Sequence, residues 1–152
     1  MAWITGKMER CFTIDAPYEK VLQFFSEPSE FRAAFGAMEG FEEIEPGVWK
    51  WTLEEKSEKG ITYQGIYTVE YTKTDNGLIW KTREGNARSK GESKVKDLGG
   101  GKTEVDYSEE MQTDLPIPRL MAKVFNPIVG REVAKGIGNF LDAAKEILES
   151  GD

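Results

Sequence analysis

A chain of 152 residues has the length of a single domain, long enough to bury roughly 70% of the surface its unfolded form exposes. Its 39% hydrophobic and 31% charged residues describe a globular protein and exclude a disordered one. A formal net charge of -7 argues against nucleic acid, which needs a basic stripe, and against an anionic membrane surface.

The N-terminus, MAWITGKMERCF, lacks a charged region followed by an apolar run, so no secretory leader is expected. Residues 7–14 alternate as a strand, with Met8, Arg10, Phe12 and Ile14 on one face and Cys11 on the other. Asp15 is placed to cap a helix that has Pro17 in its first turn, carries Val21, Leu22, Phe24 and Phe25, and ends near Ser26. Pro28 and Ser29 start a second short helix with Phe31 and Phe35 on one face, closing at Gly36.

Turn signals then fall at EPG (45–47), KSEKG (56–60), TDNG (74–77), EGN (84–86) and DLGGGKT (97–103). The β-branched and aromatic segments between them, VWKWTLEE and ITYQGIYTVEYTKT among others, predict about six strands in consecutive antiparallel hairpins. One of these strands, NARSKGESKV (86–95), has an unusual face. Its alternate residues Ala87, Ser89, Gly91, Ser93 and Val95 are nearly all small, while Arg88, Lys90, Glu92 and Lys94 must face water. Such a face contributes little volume to a core.

The chain ends in helix. PIPRLMAKVF is a lead-in, and Asn126-Pro127 supplies an N-cap and first-turn proline for the main helix. Along it Val129, Val133, Ile137, Phe140, Leu141, Ala144 and Ile147 form one apolar stripe, which must lie on the concave face of the sheet. Gly130, Gly136 and Gly138 interrupt that helix, through either close approach to the sheet or a capacity to flex.

Composition removes several chemistries. Without histidine there is no Ser-His-Asp or Cys-His nucleophile and no imidazole zinc site. No acidic loop has metal-ligand spacing, and GGGK at 99–102 is a hairpin turn rather than a phosphate loop, so no metal or cofactor is expected. A single cysteine makes no internal disulfide and fits a reducing cytoplasm. No apolar run approaches the ~20 residues of a membrane helix.

The order strand, two short helices, six strands and a long C-terminal helix resembles the START / polyketide-cyclase / birch-pollen-allergen (SRPBCC) superfamily. The resemblance rests on TIDAPYEKVLQFFSEP (13–28), the GGGKTEVDYS hairpin (99–108) and the terminal helix. Through GITYQGIYTVEYT the chain is also similar to the carbon-monoxide-dehydrogenase branch of that superfamily, although that branch carries Pro-Gly where this chain has AFGAMEG (34–40). The resemblance implies an α+β helix-grip fold spanning 1–152, a curved antiparallel sheet of about seven strands wrapped around the C-terminal helix. It also implies space between sheet and helix.

Around that space the alternation aims Trp49, Trp51, Tyr63, Tyr67, Trp80 and Tyr107 inward, opposite the small face that includes Ser89. Val133, Ile137 and Phe140 would form the helix wall. The aromatics either fill the space as a solid core or wall a cavity for a hydrophobic small molecule. Arg10 and Glu109 are also inward by alternation, on first and last strands that a helix-grip sheet sets side by side. They would form a structural pair at the rim, or Arg10 would anchor a ligand carboxylate with Glu109 as its resting partner.

Three functions follow. The preferred one is binding or transport of a lipid, polyketide or isoprenoid-like molecule. The alternatives are a cofactor-independent cyclase or dehydratase, signalled by an inward carboxylate of raised pKa, and an accessory protein-binding component with an exposed apolar patch near Phe35, Met38 and Phe41. Paired carboxylates and an activated nucleophile are missing, which disfavours the enzyme. The acidic surface fits a monomer or weak dimer.

Overall fold

A computed structural model of the chain describes residues 2–36 and 38–150. Met1, Gly151 and Asp152 of the expected domain, and Ala37 of the AFGAMEG stretch, lie outside the described residues.

Strand β1 (Ala2–Ile14) leads into helices α1 (Tyr18–Ser26) and α2 (Pro28–Phe31) and a single 3-10 turn (Arg32–Ala34). Eight strands follow: β2 (Met38–Glu45), β3 (Val48–Leu53), β4 (Lys56–Glu58), β5 (Ile61–Tyr63), β6 (Ile66–Thr74), β7 (Gly77–Gly85), β8 (Ala87–Gly99) and β9 (Lys102–Leu115). A second 3-10 turn (Arg119–Met121) opens onto the long helix α3 (Ala122–Glu149). Seven strands form one antiparallel sheet in the order β1-β9-β8-β7-β6-β3-β2, and β4-β5 is a separate hairpin. The architecture is the expected helix-grip fold, with the sheet curved around α3.

Four local expectations are corrected. β1 begins at Ala2, not Lys7, because its early inward residues Ala2, Ile4 and Gly6 pair along β9 and are buried. Asp15 does not cap α1. The N-cap is Pro17, whose carbonyl accepts from Lys20 and Val21, while the Asp15 N–H donates to Glu149. The segment ITYQGIYTVEYTKT is two strands, not one. At the break Asn86 accepts from the Ile66 N–H (2.8 Å) and donates to the Gln64 carbonyl (2.7 Å), so a side chain satisfies backbone groups that a ladder would otherwise pair. Finally, α3 starts before Asn126-Pro127 and keeps Pro127 inside it. The lost N–H costs one helical bond, while buried Phe125 secures the extra turn. At the far end buried Leu148, not Ile147, completes the apolar stripe.

Two apolar clusters hold sheet and helix together. The larger joins α1 and α2 to the sheet and the second half of α3 through Phe25, Phe31, Trp80, Tyr107, Phe140 and Leu141. The smaller ties Ile4, Leu115, Ile117 and Phe125 at the other end. β1 meets α3 closely: a Cβ on Gly6 would come within 2.8 Å of the Val133 Cβ, and one on Gly138 within 3.2 Å of the Arg10 guanidinium. Gly130 and Gly136 have open space around their Cα atoms. Close approach therefore accounts for Gly138 but not for the other two.

Candidate functional site

A cavity of about 500 Å³ separates the two clusters and is walled by residues of both. That volume falls within the ~300–1,000 Å³ of small-molecule sites. The sheet contributes Trp51, Tyr67, Tyr71, Trp80 and Tyr107, and α3 contributes Val133, Ile137 and Phe140. Tyr63 on the β4-β5 hairpin stands on the wall as well, its hydroxyl donating to the Asn86 carbonyl at 2.6 Å. Trp49, expected inward, is half-buried and stacked on Phe41 (centroids 4.5 Å apart) away from the cavity.

The small face of β8 is what makes the floor. Strand register sets Tyr71, Trp80, Gly91, Glu109 and Met8 in one row across β6, β7, β8, β9 and β1. The Trp80 ring lies over Gly91, where a Cβ would sit 2.7 Å from Cζ2 and 2.2 Å from the Ser108 carbonyl oxygen. Any larger residue at 91 would displace the indole or the β9 backbone. Gly91 thus seats the ring, and Ser89 next along the same face takes its polar edge.

From there a hydrogen-bonded chain runs to a carboxylate. The Trp80 indole N–H donates to Ser89 Oγ (3.2 Å), and the Ser89 hydroxyl donates to Glu109 Oε2 (2.8 Å). The Tyr107 hydroxyl donates to Glu109 Oε1 (2.6 Å). Ser89 is itself fixed by Thr82, whose Oγ1 accepts from the Ser89 N–H at 2.7 Å. Burial pushes the Glu109 carboxyl above the usual glutamate range, an effect the bonds from Tyr107 and Ser89 partly offset. Burial and then the nearby Glu109 charge push the phenols of Tyr67 and Tyr107 far upward. Both are therefore neutral donors at physiological pH. Tyr71 is raised by the same two causes and accepts from the Trp51 indole N–H at 3.1 Å.

Arg10 is not part of this arrangement. Register sets Arg10 beside Tyr107 and Met8 beside Glu109. The guanidinium bonds Asp142 on α3 at 2.8 Å and does not line the cavity. The expected Arg10–Glu109 pair is absent, because a side chain as long as arginine reaches past the sheet edge to the helix and to water. No Lys or Arg among the described residues forms an ion pair with Glu109.

Of the expected site residues, then, Trp51, Tyr63, Tyr67, Trp80, Ser89, Tyr107, Glu109, Val133, Ile137 and Phe140 share one cavity, and Arg10 does not. Tyr71, Phe35, Thr113 and Phe125 also line it and were not anticipated. Tyr71 had a signal, since it shares the alternation of Tyr67. Two wall hydroxyls, Ser93 Oγ and Thr113 Oγ1, are buried with no hydrogen-bond partner. The expected apolar patch at Phe35, Met38 and Phe41 is not a free surface. All three are half-buried against the larger cluster, because the Phe35 ring stacks on Phe140 (4.2 Å, 11°) and the Phe41 ring packs edge-on against Trp51 (4.6 Å). No helix among the described residues is long and apolar enough to cross a membrane.

Fold and cavity together define a helix-grip protein with a hollow interior. No protein-family model and no curated protein matches the sequence. Solved structures do match it in fold. A START superfamily protein from Mycobacterium smegmatis aligns with TM-score 0.72 at 12% identity, covering 95% of this chain and 97% of that one. The Zhui aromatase/cyclase from Streptomyces sp. R1128 aligns at 0.72 and 15% identity, covering 95% and 94%. Norcoclaurine synthase from Thalictrum flavum, solved with dopamine and hydroxybenzaldehyde, aligns at 0.65 and 14%, covering 99% and 90%. The chain has the fold of the START/SRPBCC superfamily. These likenesses do not show the carbon-monoxide-dehydrogenase branch.

Proposed function

We propose that this protein binds a hydrophobic small molecule of lipid, polyketide or isoprenoid type between the sheet and α3. The carrying observation is the cavity itself: about 500 Å³, aromatic walls, and a few convergent polar groups at Glu109, Ser93 and Thr113. Apolar walls supply affinity by desolvation, and sparse polar groups orient the ligand. The exposed, unpaired Cys11 supports a reducing, cytoplasmic setting. The test is displacement. Leucine in place of Thr113 would intrude into the cavity, so Thr113→Leu should lose most binding of any co-purified ligand while keeping the native circular dichroism spectrum. Unaltered binding by a folded Thr113→Leu protein would count against the cavity as the site.

A second reading, a cofactor-independent cyclase or dehydratase, draws on the Glu109–Tyr107 pair. A carboxyl of raised pKa beside a neutral phenol is suited to moving a proton within a dry site. Returning the extracted ligand to fresh protein separates the readings. Conversion to an isomer or a dehydrated product supports catalysis, and recovery unchanged supports carriage.

A further inference from the structure

The cavity does not treat the two signs of charge alike. The charged side chains on its wall are Glu54, Glu58, Glu109 and Glu132 against Lys56, and Lys56 lies 3.7 Å from Glu132 at the exposed rim. A fatty-acid carboxylate would enter a negative mouth and meet Glu109 with no cation to receive it, since Arg10 is engaged by Asp142 outside. An anionic headgroup is the wrong chemistry here.

A cation is the right one. Each Glu109 oxygen accepts one hydrogen bond from the protein, and a carboxylate has about four acceptor positions, so capacity remains for further donors. Tyr71, Trp80 and Tyr107 are near neighbours, with ring centroids 6.2 Å and 5.4 Å apart in succession, and offer π faces to a positive group. Ser93 and Thr113, 2% and 8% exposed, hold unpartnered hydroxyls on the same wall, a second sign that polar ligand atoms belong there. The acidic rim would also concentrate cations at the entrance.

We propose that the ligand is a hydrophobic amine whose protonated nitrogen seats on Glu109, with its apolar body along Tyr67, Ile137 and Phe140. This rests on the cavity-binding reading and narrows its ligand to a chemical class. No covalent step is involved.

The experiment is calorimetric titration of the full chain at neutral pH with three matched probes: naphthylethylamine, naphthylethanol and naphthylacetate. The amine should bind about tenfold or more tightly than the alcohol, and the carboxylate weakest, as a charge-assisted hydrogen bond and ring contacts together imply. In Glu109→Gln the amine preference should vanish while alcohol affinity stays within about twofold. An amine that binds no better than the alcohol overturns the inference yet leaves the cavity reading intact, because the alcohol still binds. A preference that survives in Glu109→Gln also overturns it. If none of the three probes binds, the cavity reading fails and takes the inference with it. The comparison of amine with alcohol in the wild-type protein decides alone should Glu109→Gln not fold.

Discussion

Phe140 on α3 holds the centre of the aromatic interior, and Phe140→Ala tests whether that interior is packed around a cavity or loosely disposed. The residue is 3% exposed and meets Phe25, Phe31, Phe35 and Tyr107 at centroid separations of 6.2, 6.1, 4.2 and 5.9 Å. Burying a phenylalanine contributes about 2–3 kcal/mol by transfer, and the void left by the ring adds a cost of about 24 cal/mol per Å³ that fails to collapse. Phe35 loses its stacked partner as well, a contact of about 1 kcal/mol. The neighbouring cavity limits relaxation, since no atoms stand ready on that side to fill the gap. A loss of about 4 kcal/mol follows, within the roughly 3–5 kcal/mol of such truncations. In a domain of this size that lowers Tm by roughly 8–16 °C, measured by circular dichroism with urea unfolding as the check. A loss under about 1 kcal/mol would refute the reasoning, because the ring would then front open space.

Other outcomes are expected together. Burial raises the folded-state pKa of Glu109 above its unfolded value, so the associated stability is fully present below about pH 4.3 and is lost as pH rises through the folded pKa. The stability of Glu109→Gln relative to wild type should therefore rise between about pH 4 and pH 7 in urea unfolding, and a fall would contradict the burial argument. Gly6→Ala should cost about 1–3 kcal/mol, since its Cβ would overlap Val133, whereas Gly136→Ala has open space and should stabilise by up to about 1 kcal/mol. Thermal melts of the two variants should move in opposite directions. Arg10→Met should leave ligand affinity unchanged and cost about 0–1 kcal/mol, because the Arg10–Asp142 pair is solvated and lies outside the cavity.

The sequence was most informative where structure follows a short period. Alternation placed Ala87, Ser89, Gly91, Ser93 and Val95 on one side of β8, and all but the half-buried Gly91 are buried. The same period put Tyr107 and Glu109 inward on β9. It left the partner of Glu109 undetermined, because pairing depends on register between strands that are distant in sequence. One residue pair of offset along β1 and β9 separates Arg10 beside Tyr107 from Arg10 beside Glu109. The reach of Arg10 to Asp142 depends on where α3 lies, which is a tertiary fact. Phe125 was missed for a related reason. Proline marks a helix start in local terms, but burial of Phe125 against Ile4 and Leu115 carries the helix back through Pro127. The two-part break before β6 was hidden because Asn86, twenty residues further on, supplies its hydrogen bonds.

Native mass spectrometry of gently purified protein, followed by solvent extraction, tests the central claim most directly. A one-to-one complex is predicted, with a small hydrophobic molecule released on extraction and excluded by Thr113→Leu. A bare protein mass that also fails to shift with added fatty alcohols, isoprenoids and hydrophobic amines would contradict the account.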